Sequence, residues 1–363
     1  MEWIENQLNL FRETKQKSND WRWSFKDYPQ KNGLKVFSCF ACGGGSTMGY
    51  KLCGCEVIGC NEIDPRMNKV YVANHNPKYN YLEDIRDFNK REDLPEELYN
   101  LDILDGSPPC STFSMAGQRE DAWGVEKKFR EGQKSQTLDD LLFVFIDTVA
   151  KLQPKVAIME NVEGLMLGNA WMYVQDIYKK FHDIGYKVKH WLLKGETMGV
   201  PQTRHRVFFV ATRLPFNLDS INLYFNYAPI TYGMIKEGEL KQMGKDTKFY
   251  QIASQANDKD KNIADTRKRL GEKGSAFQTL YIRDNMVVPT QRAKPDLIDL
   301  EHIAYVSKET IRNSQTFPRD YKFDPNTYSN IGYICGMSVP PLMIKRLVTR
   351  LIESGLFDYK LKK

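Results

Sequence analysis

The sequence predicts an α/β fold: a doubly wound, mostly parallel sheet with a second, smaller and irregular domain. Short runs rich in Val, Ile and Phe recur along the first 212 residues, helix-like stretches separate several of them, and the alternation then stops. Strands that are apolar on both faces and alternate with helices are typical of a parallel sheet covered on both sides. Because such sheets bind ligands beyond the carboxyl ends of their strands, we expect the chemistry in the turns that follow the strands.

Six apolar runs are predicted to be buried strands: LKVFSCF (34–40), CEVIGCNEID (55–64), NLDILDGS (100–107), PKVAIMENV (154–162), YKVKHWLL (186–193) and RVFFVATR (206–213). Helices are predicted in DPRMNKVYVANH (64–75), SQTLDDLLFVFIDTVAKL (135–152) and NAWMYVQDIYKKFHDIG (169–185). The closing segment, PPLMIKRLVTRLIESG (340–355), has apolar residues at helical spacing. We therefore expect it to form an amphipathic helix that packs on the large domain.

Composition divides the chain into three parts. Residues 1–33 precede the first strand and form an N-terminal extension, and residues 34–212 together with 331–363 form the large, catalytic domain. Residues 213–330 form the smaller domain, which is rich in loops. Between 213 and 300 there are 14 Lys and Arg against 11 Asp and Glu, and the whole chain has a net charge of +6. This balance is compatible with a nucleic-acid partner but does not demonstrate one.

Several classes of protein are disfavoured. The longest apolar run, LLFVFI (141–146), is too short to cross a bilayer, and the acidic start MEWIENQLNL does not resemble a signal peptide. Seven cysteines at irregular spacings fit no disulfide framework, which agrees with a reducing compartment, so we expect a soluble, cytoplasmic protein. A zinc site built from Cys39, Cys42, Cys53 and Cys55 is an alternative that the C-x-C half fits poorly.

A glycine-rich turn follows the first predicted strand. Gly43, Gly44 and Gly45 would let the backbone approach a ligand, as in sites for NAD, FAD, nucleotides or S-adenosylmethionine. Glu62 ends the second strand, where a carboxylate can accept both hydroxyls of a ribose. The chain has no G-x-x-x-x-G-K-[ST] phosphate loop, so a ribose-containing cofactor without a phosphate cradle fits best. Asp84 could accept from an adenine amino group or cap a helix.

Three further turns carry reactive groups. In GSPPCSTFS the two prolines form a stiff turn that presents Cys110, although a buried structural cysteine is the simpler alternative. Glu160 ends a strand, so it is paired or has a raised pKa. Arg204 and Arg206 are two apart at the start of a strand and should share a face, unless they form a solvated edge.

These groups would meet at one edge of the sheet. A thiolate that adds to a ring, an acid that protonates a ring nitrogen and a methylsulfonium cofactor are what methylation of an unreactive aromatic carbon requires. The sequence therefore predicts a carbon methyltransferase in which Cys110 is the nucleophile and Glu160 the proton partner.

The order and wording of these motifs resemble the DNA cytosine-5 methyltransferase family. FACGGG and NEID resemble its cofactor motifs, GSPPCSTFS its nucleophile loop, ENVEGL its proton-donor motif and GVPQTRHRVFFVATR its arginine motif. IAYVSKETIRNSQTFPRDYKF resembles the segment that frames its target-recognition region, and GMSVPP the cofactor motif before its last helix. The resemblance runs from Lys35 to the final helix and implies that residues 213–330 form the target-recognition domain.

The resemblance implies a role for each matched residue. Cys110 would attack C6 of a flipped cytosine, Glu160 would contact N3, and Arg206 would bind the O2 edge. Arg204 would anchor the site, and Asn161 would hold the Pro-Cys turn. The residues implied to contact S-adenosylmethionine are Phe40, Gly43, Gly44, Gly45, Glu62, Ile63, Asp84, Ile85, Pro109 and Ser338. The further residues implied to contact the substrate are Ser114, Asn161 and Gln202.

The family further implies double-stranded DNA as the substrate, with the enzyme acting as a monomer and a cognate restriction endonuclease as a candidate partner. An RNA cytosine-5 methyltransferase on the same scaffold and an inactive DNA-binding relative are the alternatives. The stretch of about 90 residues after the arginine motif is long enough to read base edges in a groove, which favours DNA.

Three positions depart from the family pattern. Ser38 stands where Asp is usual, Cys42 where the first Gly of the turn is usual, and Met337 where Asn is usual. Met337 either points toward the cofactor or packs into the seam beneath the last helix, and the apolar residues that follow it favour the seam.

Overall fold

A computed structural model describes residues 19–109 and 140–359 of the chain. Its strands are β1 (Lys35–Cys39), β2 (Glu56–Glu62), β3 (Tyr79–Leu82), β4 (Ile103–Gly106), β5 (Val156–Val162), β6 (Lys187–Lys194), β7 (Gln202–Thr203), β8 (His205–Thr212), β9 (Lys241–Gln242), β10 (Tyr281–Ile282), β11 (Val288–Pro289), β12 (Ile298–Asp299) and β13 (Ala304–Tyr305). Its α-helices are α1 (Gly45–Leu52), α2 (Pro65–His75), α3 (Ile85–Lys90), α4 (Leu141–Leu152), α5 (Trp171–Asp183), α6 (Tyr232–Ile235), α7 (Lys248–Ala253), α8 (Ile263–Arg269), α9 (Lys308–Ser314), α10 (Tyr328–Met337) and α11 (Pro341–Glu353).

Within these ranges, one sheet of seven strands has the order β3-β2-β1-β4-β5-β8-β6. The strands from β3 to β5 are parallel to their neighbours, and β8 runs antiparallel to both β5 and β6. The predicted doubly wound, mostly parallel sheet is therefore confirmed, and each of the six predicted strands is present. The prediction that all six are buried is wrong for β6, which lies at the edge of the sheet and is half-buried or exposed at most positions. Because β8 is reversed, its first residues lie at the same edge of the sheet as the carboxyl end of β5.

Successive strand residues enter two separate cores, one on each face of the sheet. Val36 and Ile158 pack on one face, whereas the next residues along the chain, Phe37 and Met159, pack on the other. Helices α4 and α5 cover the second face, and α1 and α11 cover the first. Two apolar faces per strand explain why the predicted strands read as continuous apolar runs.

The closing helix α11 lies against α1, as its amphipathic pattern predicts. Ile344, Leu347, Val348 and Leu351 are fully buried in the large core. A Cβ at Gly49 would lie 2.4 Å from the Cβ of Ile344, so the two helices approach at a distance that only glycine permits. The last helix is consequently an integral part of the large domain.

The smaller domain has a core of its own, made of Met243, Ile252, Ala253, Ile263, Tyr281 and Ile298. A four-stranded sheet with the order β10-β12-β13-β9 accompanies it. Apolar residues on both sides of this part, such as Phe225 and Phe317, pack instead into the large core. The domain boundaries at 213 and 330 remain predictions. The buried residues of the separate core lie between Met243 and Ile298, which is a shorter part of the chain.

Residues 19–33 of the N-terminal extension are attached to the large domain. The indole of Trp23 is buried and its Nε1 donates to the carbonyl of Thr316 at 2.8 Å. Asp20 forms an ion pair with Arg346 on α11 at 2.8 Å. Burial raises the cost of ionising Asp20, but the charges of Arg346 and its neighbour outweigh this and lower the Asp20 pKa.

None of the helices in residues 19–109 and 140–359 combines the length and the apolar composition needed to cross a bilayer. The zinc alternative gains no support from the positions of the cysteines. The Cys53 thiol donates to the carbonyl of Lys345 on α11, and Cys39 is buried in β1. In the described ranges, no cluster of possible metal ligands contains a cysteine.

Candidate active site

The predicted site residues lie at one edge of the large sheet. β1 leads into the glycine turn, β2 ends at Glu62, and β5 carries Glu160 near its carboxyl end. Arg206 on β8 pairs across the sheet with Val162, which brings it to the same edge. Cys110 and Ser114 lie outside the described residues, so their roles stay predictions. The neighbouring Pro108 and Pro109 follow β4 and are at this edge as well.

Glu160 and Arg206 form a buried ion pair. Arg206 Nε lies 2.8 Å from Glu160 Oε1, and only 11% of the glutamate side chain and 13% of the arginine side chain are exposed. Arg206 also donates from Nη1 to the carbonyl of His205 at 2.7 Å, which fixes the plane of its guanidinium. Of the two sequence-based possibilities for Glu160, the structure shows the paired one.

Arg204 is buried and joins segments that are distant in sequence. It donates to the carbonyl of Gln291 at 3.3 Å and to that of Gly336 at 3.4 Å. Burial lowers the Arg204 pKa, and the nearby Arg206 charge lowers it further. The solvated-edge alternative is therefore wrong for Arg204, since just 4% of the residue is exposed. Its predicted anchoring role remains a prediction that these contacts support.

Asn161 connects the proton-donor strand to the proline turn. Its Nδ2 donates to the carbonyl of Pro108 at 3.2 Å, and its Oδ1 accepts the backbone N–H of Val162. The contact holds the two residues before Cys110 beside Glu160. Pro109, the predicted cofactor contact next to Cys110, is half-buried at this position.

The side chain of Gln202 is bonded to other parts of the protein, in a position that does not suit the predicted contact with the substrate. It is fully buried, and its amide donates to the carbonyl of Ser314 and to Gln315 Oε1. Its Oε1 accepts the backbone N–H of Gln291. Both amide hydrogens are thus used inside the protein, and the geometry places Gln202 in the seam between the two domains rather than at the substrate.

The Glu62 carboxylate is held between two backbone donors. Its Oε2 accepts the N–H of Cys42 at 2.7 Å, and its Oε1 accepts the N–H of Asp64 at 2.8 Å. Burial raises the Glu62 pKa, and these hydrogen bonds oppose the rise. The backbone N–H of Ile63 is a third donor to this carboxylate, which has about four acceptor positions, so the fixed carboxylate can still accept a further hydrogen bond. Ile63 next to it is half-exposed.

The three glycines of the turn are required by protein packing as well. A Cβ at Gly43 would lie 2.5 Å from a side-chain carbon of Ile334, and one at Gly45 would lie 2.0 Å from the carbonyl of Val339. Gly44 has φ +80° and faces the ring of His75. The sequence interpretation, close approach of a ligand, missed this contact with the segment between α10 and α11.

The same segment places Ser338 and Met337. Ser338 Oγ accepts the N–H of Gly43 at 3.3 Å and donates to the carbonyl of Ile334 at 2.7 Å. Met337 is half-buried and packs against the large core. This agrees with the expectation that Met337 packs into the seam. The contacts of Ser338 are with the protein, and its predicted contact with the cofactor stays a prediction.

Asp84 caps helix α3, because its carboxylate accepts the N–H of Arg86 at 2.8 Å. The capping alternative is confirmed, and the adenine contact stays a prediction. Ile85 is buried directly after it, and Phe40, before the glycines, is half-buried with φ +54°.

One buried acid near this edge has no counterpart in the predicted site. Asp105 on β4 is 1% exposed and accepts hydrogen bonds from Ser38 and Tyr50. The signal that could have identified it is a carboxylate inside the apolar run NLDILDGS.

Comparisons with known proteins agree with the motifs. The model of the C-5 cytosine-specific DNA methylase family matches residues 34–353. The type II methyltransferase M.FnuDI of Fusobacterium nucleatum is 33% identical over 194 residues, which are 53% of this chain and 51% of that protein. M.Bsp6I of a Bacillus strain is 26% identical over 89% of this chain and its own entire length.

A mutant of Spodoptera frugiperda DNMT2 shares the fold, with a TM-score of 0.61 at 16% identity, over 88% of this chain and 100% of that one. The chain spans about half the length of the first curated relatives that it matches, 51% and 49%. The family match itself covers nearly all of the described residues. The chain belongs to the C-5 cytosine-specific DNA methylase family.

Proposed function

We propose that this protein transfers a methyl group from S-adenosylmethionine to C5 of a cytosine flipped out of double-stranded DNA. The observation that carries the proposal is the Glu160–Arg206 ion pair at 2.8 Å. This pair is next to the nucleophile segment, because Asn161, the neighbour of Glu160, donates to the carbonyl of Pro108, two residues before Cys110. A carboxylate and a guanidinium thus lie beside the Pro108–Pro109 segment that directly precedes Cys110 in the chain. In this arrangement Cys110 adds to C6, Glu160 binds at N3 and Arg206 donates to O2.

The residues at the glycine turn fit S-adenosylmethionine. Glu62 is fixed by two backbone N–H groups and can accept the ribose hydroxyls, and Phe40, Ile63 and Ile85 supply apolar surface for an adenine. When bound, this cofactor supplies an electrophilic methyl group. Ser338 accepts the N–H of Gly43 and Glu62 accepts the N–H of Cys42, which would keep the Cys42–Gly45 backbone in position while the cofactor exchanges.

Flipping is required because a base stacked in a duplex cannot be attacked at C6 and methylated at C5 from its two faces. We assign sequence preference to residues 213–300, within the proposed target-recognition domain. The named relatives come from bacteria, and others that match come from Bacillus phages. The proposed setting is accordingly a bacterial cell, with the enzyme acting as a monomer and a restriction endonuclease as the candidate partner.

The test is covalent trapping. A duplex that carries 5-fluorocytosine should form an adduct that survives denaturation, since fluorine cannot leave C5 as a proton does. We expect a cofactor-dependent adduct with wild-type protein and none with Cys110→Ala. Bisulfite sequencing of DNA from expressing cells supplies the target sequence for the duplex.

The nucleophile assignment is contradicted if no adduct forms with a 5-fluorocytosine duplex whose sequence is methylated in the expressing cells. It is also contradicted if Cys110→Ala forms the adduct. Cytosine methylation found in cellular RNA rather than DNA would favour the RNA alternative.

A further inference from the structure

A buried carboxylate lies beneath the glycine turn. Asp105 Oδ2 accepts from Ser38 Oγ at 2.7 Å, and Oδ1 accepts from the Tyr50 hydroxyl at 3.0 Å. The Ser46 hydroxyl is a third hydrogen-bond partner. Ser38 precedes the turn on β1, whereas Ser46 and Tyr50 follow it on α1. The Asp105 carboxylate therefore connects β1 and α1, the two elements that flank the glycine turn.

The same residue is close to the nucleophile segment. Asp105 is the next-to-last residue of β4, and Pro108 follows three positions later. Ser38 and Asp105 are paired in register on neighbouring parallel strands. A second carboxylate at position 38, where the family usually has Asp, would face Asp105 inside the protein. Serine supplies a donor there instead, which accounts for this departure.

We propose that Asp105 is a positioning residue that holds the cofactor turn against the strand leading to Cys110. The proposal rests on the proposed function, since the turn is assigned to S-adenosylmethionine. An ionised carboxylate accepts all of these hydroxyl hydrogen bonds at once, whereas the neutral acid must use one oxygen as a donor. The turn is therefore held most firmly when Asp105 is ionised.

The surroundings of Asp105 make its charge sensitive to pH. Burial raises its pKa to about 7, the bonds from Ser38 and Tyr50 oppose the rise, and the Glu160 charge adds to it. The other titratable groups facing it are Cys39 on β1, Tyr50 on α1 and Tyr71 on α2. Burial raises the pKa of each of these three, so they stay neutral, and Glu160 on β5 is the remaining charged neighbour.

The experiment compares Asp105→Asn with wild-type protein by calorimetric titration of S-adenosylmethionine at pH 6, 7 and 8. Wild-type affinity should increase by up to about tenfold from pH 6 to pH 8, because the ionised fraction of a group with a pKa near 7 rises about tenfold. Asp105→Asn should bind more weakly at pH 8 and lose most of this dependence. Titratable groups other than Asp105, such as Glu62, are unchanged in the variant, so the difference between the two pH profiles isolates the contribution of Asp105.

Asp102→Asn is the matched control. Asp102 lies just before the same strand at its opposite end, where its carboxylate accepts from the N–H of Lys35 and from Lys155 Nζ. This variant should keep the wild-type pH profile of binding. Ser38→Ala and Tyr50→Phe each remove one donor and provide milder tests if Asp105→Asn folds poorly. Both should weaken binding by a smaller factor.

Unfolding measurements separate positioning from mere stability. Between about pH 4 and pH 7 the folded state binds more protons at Asp105 than the unfolded state, so wild-type stability from this group falls as pH rises. Asp105→Asn should remove that fall. If the fall disappears but cofactor affinity and its pH profile match wild type, Asp105 is structural only and the proposal is wrong.

The proposed function fails in a different way. Suppose that wild-type protein binds S-adenosylmethionine with the expected pH profile but forms no adduct with the 5-fluorocytosine duplex of the target sequence. The Asp105 assignment would then stand, and the Cys110 chemistry would be wrong.

Discussion

The proposed active site lies at the edge of the sheet where the parallel strands end, and it has a cofactor side and a base side. Different kinds of contact hold the residues of the two sides in place. On the proposed cofactor side, the backbone N–H groups of Cys42 and Asp64 fix the Glu62 carboxylate, and close packing of the glycines fixes the path of the turn. Ser338 and Asp105 add side-chain hydrogen bonds to the turn and to the elements next to it. On the base side, Glu160, Arg204 and Arg206 act through their side chains, by an ion pair and by guanidinium bonds to carbonyls.

This difference explains where the chain departs from its family. Ser38, Cys42 and Met337 all belong to the cofactor side, whereas the catalytic positions predicted on the base side follow the family pattern. Backbone N–H groups are available from almost any residue, so side-chain identity can vary where they carry the contact, as at Cys42. At Ser38 the side chain itself bonds Asp105, and the departure there follows from that pairing. A carboxylate or a guanidinium that itself performs the chemistry cannot be replaced in this way.

The base side should therefore show the largest effect of a single substitution. Glu160→Gln keeps the shape of the side chain but removes the carboxyl group that, in the proposed mechanism, exchanges a proton with N3. We expect the methylation rate to fall by roughly 10²-fold or more, as for typical general acids. Binding of S-adenosylmethionine should change little, and single-turnover methylation measures the difference.

Glu163→Gln is the matched control, since Glu163 follows Glu160 in the same segment but contacts His205 at 3.2 Å and is 40% exposed. It should retain most of the wild-type rate. Equal loss in both variants would show that the segment tolerates no amide and would remove the special role of Glu160. Wild-type turnover by Glu160→Gln would contradict the contrast between the two sides.

On the cofactor side, a single methyl group on the backbone should be enough to disrupt the site. In Gly45→Ala the Cβ would lie 2.0 Å from the carbonyl of Val339, a backbone atom that cannot rotate away. We expect destabilisation of about 1–3 kcal/mol, typical of overpacking, together with weaker cofactor binding. Urea unfolding and calorimetric titration measure the two effects.

Gly244→Ala is the control, because its nearest neighbour is a side-chain carbon of Thr247 at 3.2 Å. It should cost less than Gly45→Ala. Without the clash, alanine at the first position of α1 should stabilise the helix, so a gain in stability for Gly45→Ala would refute the packing argument.

Much of the sheet follows from the sequence because most of its strands are buried on both faces. β5 is recognisable from PKVAIMENV alone, with alternate residues such as Ile158 and Met159 in opposite cores. β3 at the edge was not predicted, since its residues alternate between half-buried and exposed and Tyr79–Leu82 carries no apolar run. β6 at the other edge is half-buried or exposed at most positions, yet the apolar residues of YKVKHWLL made it recognisable. The presence of an apolar run, rather than the position in the sheet, therefore decides which strands the sequence reveals.

The site was predictable to the extent that single residues carry it. Glu160 and the arginines are recognisable from their motifs, but Gln202 was assigned to the substrate although its partners, Ser314, Gln315 and Gln291, lie about 90 to 110 positions away in the chain. The packing of Gly45 against Val339 depends on a contact of the same kind. No local pattern contains such contacts, because tertiary packing creates them.

The smallest expected effect tests whether the contact between residue 42 and Glu62 depends on the backbone alone. Cys42 has φ +47°, a conformation that costs an L-residue roughly 1–2 kcal/mol and glycine nothing. Glycine loses about 0.5–1 kcal/mol through the entropy of the unfolded chain, so Cys42→Gly should stabilise the protein by up to about 1 kcal/mol. Cys42→Ala, which removes the thiol but keeps the Cβ, should show no such gain. Cofactor affinity should stay the same in both, because the N–H that binds Glu62 is retained. If both variants bind the cofactor much more weakly, the thiol itself contributes, and the contrast between backbone and side-chain construction is wrong at this position.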